Sequence, residues 1–191
     1  MSRLPLRTIA DAPEEIKAPL IAAEKANGFL PNLLRILANA PVALESYLTV
    51  SGINARSSLP LAEREAVQIT AAAVHGCGLC VAGHTAVAAK KAHLDPSIIA
   101  ALRNRAAVND DKINEIAQFT EAVIASRGAV SNDTLARFKQ AGFDDQAALE
   151  VVLGVSLATL CNFANNLGQP PLNEQLAAYQ WVPPDVSPVA E

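Results

Sequence analysis

Apolar residues recur at three- and four-residue spacing along almost the whole chain, and the period-two alternation of a half-buried strand is nearly absent. "PNLLRILANAP" predicts a short helix between Pro31 and Pro41, preceded by a break at Gly28. "VALESYLTVSGINAR" predicts a second, with an apolar stripe of Leu44, Tyr47, Leu48 and either Val50 or Ile53. Ser57, Ser58 and Pro60 signal the start of a helix from about Leu61 to His75. Gly76 and Gly78 interrupt the pattern, and residues 79–92 resume it as far as "KKAHLDP". Asp95 and Pro96 read as the N-cap and first-turn proline of a short helix. Asn109-Asp110-Asp111 restarts the chain for "KINEIAQFTEAVIAS", closed by Gly128. Ser131 caps "NDTLARFKQA", closed by Gly142, and Asp144 and Asp145 open a long apolar helix through about Asn166.

The pattern predicts one all-α domain of about eight helices over residues 1–191, with the Pro- and Ser-containing end, residues 180–191, extended. A weak internal echo accompanies it. Aligning Glu65 with Glu150 sets Cys77 opposite Asn162 and Cys80 opposite Asn165, although two Ala/Val-rich helices also look alike by composition alone.

Composition adds to this picture. The 191 residues are 51% apolar, 18% charged and only 4% aromatic, which suits close-packed Ala, Leu, Val and Ile helices. So much apolar surface against so little charge predicts a homo-oligomer, whether dimer, trimer or hexamer. The net charge of −4, with no Lys/Arg cluster, argues against nucleic acid or an anionic membrane as partner. No apolar run approaches roughly 18–20 residues free of breakers and charge, so no membrane-spanning helix is expected. "MSRLPLRTIADAPEE" carries neither the apolar core nor the cleavage site of a secretion signal. Three cysteines, an odd count, argue against a disulfide framework. In the cytoplasm, where these features place the chain, a Cys-x-x-Cys is catalytic or metal-binding.

"HGCGLCVAGH", residues 75–84, concentrates two of the three cysteines and two of the three histidines. At about 100° per residue, Cys77, Cys80 and His84 fall within about 60° on a helical wheel, sharing a face if Cys77 lies in the first turn. A first-turn cysteine feels the positive end of the helix dipole, which favours its thiolate. His84, one turn past Cys80, can take or relay a proton. Glu65 extends the set. On one unbroken helix it would lie about 28 Å from His84, but a bend at Gly76/Gly78 would pack the two helices side by side and bring the carboxylate onto the imidazole. The relay therefore demands a break between Glu65 and Cys80.

The pattern Glu65-x11-Cys77-x2-Cys80-x3-His84, set in Ala-rich helices, resembles the core motif of AhpD-like alkylhydroperoxidases in the carboxymuconolactone decarboxylase superfamily. "GFLPNLLRILANAP" and "LPLAEREAV" resemble the peroxidase-related branch, and the likeness is best over residues 28–105. It implies an all-α oligomer that reduces hydroperoxides with no metal, haem or flavin, fed by a dithiol or thiol-protein reductant. It further implies that Cys80 attacks the peroxide, Cys77 resolves the product, and Glu65 and His84 relay protons. The helix-dipole argument instead favours Cys77 as the attacking thiol. Some members carry a histidine just before the second cysteine, where this chain has Leu79; His75 is the nearest substitute.

Three other readings stand beside this one. A decarboxylase or lactone-acting member of the superfamily does not depend on the cysteine pair. A zinc-stabilised scaffold would use Cys77, Cys80 and His84 with His75 or Glu65, although structural zinc sites usually add a second ligand pair. A redox-sensing helical oligomer would need the thiols but no turnover. Among the remaining side chains, Glu65 alone reads as a first-turn acid paired with Arg64, and Glu63 better suits such a solvated role. His93 reads as a dipole partner at a helix end, and Cys161 as a small buried hydrophobe. Tyr179 and Trp181 read as packing residues, while Asn162, Asn165 and Asn166 either line the site or cap helix ends.

Overall fold

The computed structural model describes residues 2–183. Among them are nine α-helices and no strand: α1 (Glu14–Asn27), α2 (Asn32–Leu37), α3 (Pro41–Asn54), α4 (Leu61–Val74), α5 (Gly78–Lys90), α6 (Pro96–Asn104), α7 (Asp111–Ser126), α8 (Asn132–Gln140) and α9 (Asp145–Gly168). A 3-10 helix, Glu174–Tyr179, follows. The side chains of Asp95, Asp110, Ser131 and Asp144 accept backbone N–H bonds as N-caps of α6 to α9, which satisfies donors the first turn leaves free. The unforeseen helix is α1. It carries an interior proline, Pro19, and buries only Ile16 and Leu20, too thin a stripe to read as periodicity. Ser58 is not a cap: its N–H and Oγ–H both donate to Glu150 on α9, at 2.8–3.0 Å, tying the α3–α4 loop down. Of the tail expected to be extended, residues 180–183 are non-helical and 184–191 lie outside the described residues.

Two helices, α4 and α9, form the centre. Ten of the fourteen residues of α4 are buried, as a helix covered on most sides requires. It packs on α5, α6, α7 and α9, while α9 also meets α2, α3, α5 and α7. Gly154 sets the α4–α9 distance, since a Cβ there would lie 3.0 Å from Val67. Gln68 Nε2 crosses the same seam to donate to Gly154 O at 3.0 Å. Beyond α4, the rings of Phe119, Phe138 and Phe143 stack, centroids 4.0 and 4.4 Å apart, within the main core. A second apolar cluster unites α1, α2 and the start of α3.

Three expectations change. Glu63 is buried rather than solvated, and pairs with Lys112 on α7 at 3.0 Å. α9 is long and apolar enough to cross a membrane by length and composition, with an 18-residue window of mean hydropathy 1.7. The charged residues flanking and entering it hid this in the sequence, and here it serves as a core helix burying Val151, Leu157, Ala158 and Cys161. The internal echo is not a structural repeat, because α9 runs unbroken where α4 and α5 are separated by a turn.

Candidate active site

The turn between α4 and α5 follows from its glycines. Gly76 takes φ +67°, a left-handed conformation that costs a side-chain-bearing residue energy. The chain thereby reverses, and Cys77 N–H donates back to Ala72 O at 2.9 Å. Gly78 opens α5 and tolerates the close approach of the C-terminal segment: a Cβ there would lie 3.0 Å from Trp181 O. With the break in place, α5 lies against α4 and His84 Nδ1–H donates to Glu65 Oε2 at 2.8 Å. Glu65 is buried, whereas a third of the His84 side chain, 33%, remains exposed. Burial pulls the His84 pKa down, but the charge and hydrogen bond of Glu65 outweigh it and hold the imidazole above its ordinary value. The bond also fixes the proton on Nδ1 when the ring is neutral and leaves Nε2 as the exchanging nitrogen. Arg64 does not pair with Glu65; its Nη1 donates to Ala55 O at 3.0 Å.

The cysteines separate in role. Cys77 is the N-cap of α5 (φ −89°, ψ 92°) rather than a first-turn residue, and its Sγ accepts Cys80 N–H at 3.3 Å. Its backbone is not helical, so the wheel does not apply to it. Cys80 and His84 line a cavity of about 590 Å³ together with Glu65, whereas Cys77 lines a second of about 400 Å³. Leu79 lines both. The two thiols act on each other's ionisation. Hydrogen bonding from the Cys80 thiol, supported by Cys80 N–H, holds the Cys77 pKa below its ordinary value. That same bond, together with burial and the Cys77 charge, pushes Cys80 well above its own. Ionisation of the pair is therefore favoured at the capping sulfur over the sulfur facing the larger cavity.

Asn165 on α9 donates from Nδ2 to Cys80 Sγ at 3.1 Å and is itself buried. Its hydrogen bonding favours the thiolate of either cysteine. Asn166 Nδ2 donates to His75 O at 2.7 Å, covering the end of α4, and Asn162 Nδ2 donates to His75 Nδ1 at 3.0 Å. His75 also meets Phe163 edge-on, centroids 5.1 Å apart. It is thus held on the α9 side and lines neither cavity. Cys161 lines the larger cavity beside Cys80, where burial pushes its pKa up to about 12. Tyr47, read in the sequence only as part of an apolar stripe, lines that cavity as well, and burial raises its phenol further above its usual range. Trp181 Nε1 donates to Arg103 O at 3.1 Å, and Tyr179 lies beneath Lys90 Nζ, 5.5 Å from the ring centroid. His93 occupies a left-handed turn, φ 53°, after α5. Among the described residues no three His, Cys, Asp or Glu side chains are placed to hold a metal, so the zinc scaffold has no ligand set there.

Residues 41–131, which contain the whole Glu–Cys–Cys–His set, match the carboxymuconolactone decarboxylase family model. That stretch is similar to the family, and the chain as a whole has the AhpD-like fold. An AhpD-core, peroxidase-related protein of uncharacterised function from Ralstonia eutropha JMP134 superposes with a TM-score of 0.83 at 20% identity, covering 92% of this chain and 94% of its own. A peroxidase-related protein from Silicibacter sp. TM1040 gives 0.78 at 17%, covering 91% and 92%. A Cys→Ala variant of the debrominase Bmp8, bound to 2,3,4-tribromopyrrole, gives 0.77 at 15%, covering 94% and 96%. A sequence search of the curated proteins finds no match. At these identities the structural likeness establishes the fold, and one fold carries several chemistries.

Proposed function

We propose that this AhpD-like protein is a thiol-dependent peroxidase that reduces hydroperoxides through Cys80 and Cys77. The observation that carries the reading is the sharing of one cavity by Cys80, His84 and Glu65, which puts the thiol and the proton relay before the same substrate. Cys80 passes its proton to Cys77, and Asn165 N–H stabilises the thiolate left behind. That thiolate attacks the distal peroxide oxygen, the O–O bond breaks, and imidazolium His84 protonates the departing alkoxide. Cys80 is now a sulfenic acid. Cys77 then gives its proton to the now neutral His84, its thiolate attacks the Cys80 sulfur, and the departing hydroxide takes that proton from His84 and leaves as water. The sum is two thiols and a hydroperoxide giving a disulfide, an alcohol and water. A dithiol or thiol-protein reductant restores the pair by exchange, as the reducing cytoplasm would allow.

The decarboxylase alternative leaves both cysteines without a task. A debrominase shares this fold, yet the peroxidase-related neighbours and the relay favour O–O cleavage here. Self-association belongs to the same proposal, because α9 leaves Leu149, Phe163 and Leu167 more than half exposed. Hydroperoxide consumption with dithiothreitol as reductant tests the activity. Wild type turns over, Cys77→Ser and Cys80→Ser do not, and Glu65→Gln is slowed. Turnover that survives both serine substitutions would rule the mechanism out.

A further inference from the structure

Resting on the peroxidase reading for its chemistry, we infer that the substrate cavity takes an amphipathic anion, its apolar body against Cys80 and its carboxylate at the Arg64, Lys90 and Lys91 end. The cavity wall is largely apolar, with Phe29, Leu33, Tyr47, Leu79 and Leu157 among its residues. Its charged members are unevenly distributed. Arg64, Lys90 and Lys91 line it, and among the described residues none of them has a carboxylate within ion-pair distance. Among the described residues the sole carboxylate on the wall is Glu65, already engaged by His84. On a chain of net charge −4, a cavity with three unanswered cations attracts anions against the overall field.

The spacing gives the ligand a length. Cys80, His84, Val87 and Lys90/Lys91 all line the cavity and succeed one another along one face of α5. Ten residues from Cys80 to Lys90 rise about 15 Å. The lysine side chains lean toward the helix N-terminus, which brings ammonium and thiol to a separation on the order of 10 Å. That suits a medium-chain or arylalkyl carboxylate bearing the hydroperoxide at its far end. Lys90 is held in place over the Tyr179 ring, and Arg64 is anchored through Ala55 O, so both cations are oriented in the free protein.

Calorimetric titration of the reduced protein with 4-phenylbutyrate and with 4-phenylbutan-1-ol tests the site without turnover. The acid should bind at least about 10-fold more tightly at low ionic strength, and raising NaCl from about 0.05 to 0.5 M should erode only the acid's advantage. Lys90→Gln/Lys91→Gln and Arg64→Gln should each reduce that advantage several-fold, while Arg137→Gln, the same charge change as Arg64→Gln but on α8, should leave it intact. Equal binding of acid and alcohol, or a preference that survives both cavity substitutions, would overturn the inference. The peroxidase arm compares cumene hydroperoxide with its 4-carboxylate, and the carboxylate should show the lower KM in wild type alone. If phenylbutyrate binds as expected but neither hydroperoxide is consumed, the anion site stands and the peroxidase reading falls.

Discussion

Asn165→Ala removes the side-chain N–H directed at Cys80 Sγ, 3.1 Å away in a buried setting. A hydrogen bond to a charged acceptor contributes about 1.5–3 kcal/mol, and 1.36 kcal/mol corresponds to one pKa unit. Losing the bond should therefore raise the apparent pKa of the dithiol by about 1 to 2. Where most of the dithiol is still protonated, that lowers the thiolate fraction roughly 10- to 100-fold. A more basic thiolate is a better nucleophile, with a Brønsted slope near 0.4–0.5, which returns about 3- to 10-fold. The net loss in reactivity below the pKa is therefore about 3- to 10-fold, and it reverses at high pH, where both dithiols are ionised and the more basic thiolate of the variant is the better nucleophile. The assay is the pH dependence of iodoacetamide alkylation at Cys80, followed by mass spectrometry of the reduced protein. Asn165→Asp, which sets a carboxylate against the thiolate, should move the midpoint higher still, and far-UV circular dichroism checks that both variants fold. An unchanged or lowered midpoint in Asn165→Ala would refute the assignment of Asn165 as the thiolate's hydrogen-bond donor.

Further outcomes follow from the same geometry. The His84 pKa is raised in the fold, so the stabilisation it brings is complete below the unfolded value of about 6.5 and is lost as pH rises through the folded value. The stability advantage of wild type over Glu65→Gln should accordingly shrink between pH 6 and pH 9 in urea titrations; a gap that widens would contradict the pairing. Cys161, with its pKa pushed up to about 12, carries about one part in ten thousand thiolate at pH 8. Native alkylation should spare it, and denatured protein should be labelled there. Phe138 is fully buried between two stacked rings, so Phe138→Ala should cost about 3–5 kcal/mol in urea unfolding; a loss under about 1 kcal/mol would mean that this cluster is not close-packed.

Most of the helices were legible because their caps are local chemistry: Asp95, Asp110, Ser131 and Asp144 announce their helices in the residues themselves. The break at Gly76 was legible for the same reason, and it decides whether Glu65 meets His84. What the chain order concealed was the contribution of distant elements. α9 supplies Asn165 to Cys80 across 85 positions, and the only sequence signal for it was a polar residue on an apolar helix. Tyr47 was hidden because an aromatic in a stripe reads as core whether or not it also walls a cavity. Glu63 is buried rather than solvated and pairs with Lys112 on α7 while Glu65 pairs with His84 on α5, since an acid two residues from another can face a different neighbouring helix. The helical wheel failed only at Cys77, because a cap residue has left the helix whose symmetry the wheel assumes.

The division of labour between the cysteines is the centre of the account, and one measurement addresses it most directly. Treat reduced Cys77→Ser and Cys80→Ser with one equivalent of hydroperoxide, trap with dimedone, and locate the adduct by mass spectrometry. The account predicts close to one dimedone adduct per chain at Cys80 in Cys77→Ser, because no resolving thiol remains, and none at Cys77 in Cys80→Ser. An adduct at Cys77 in Cys80→Ser, with Cys80 unmodified in Cys77→Ser, would contradict it and make the capping thiolate the attacking group.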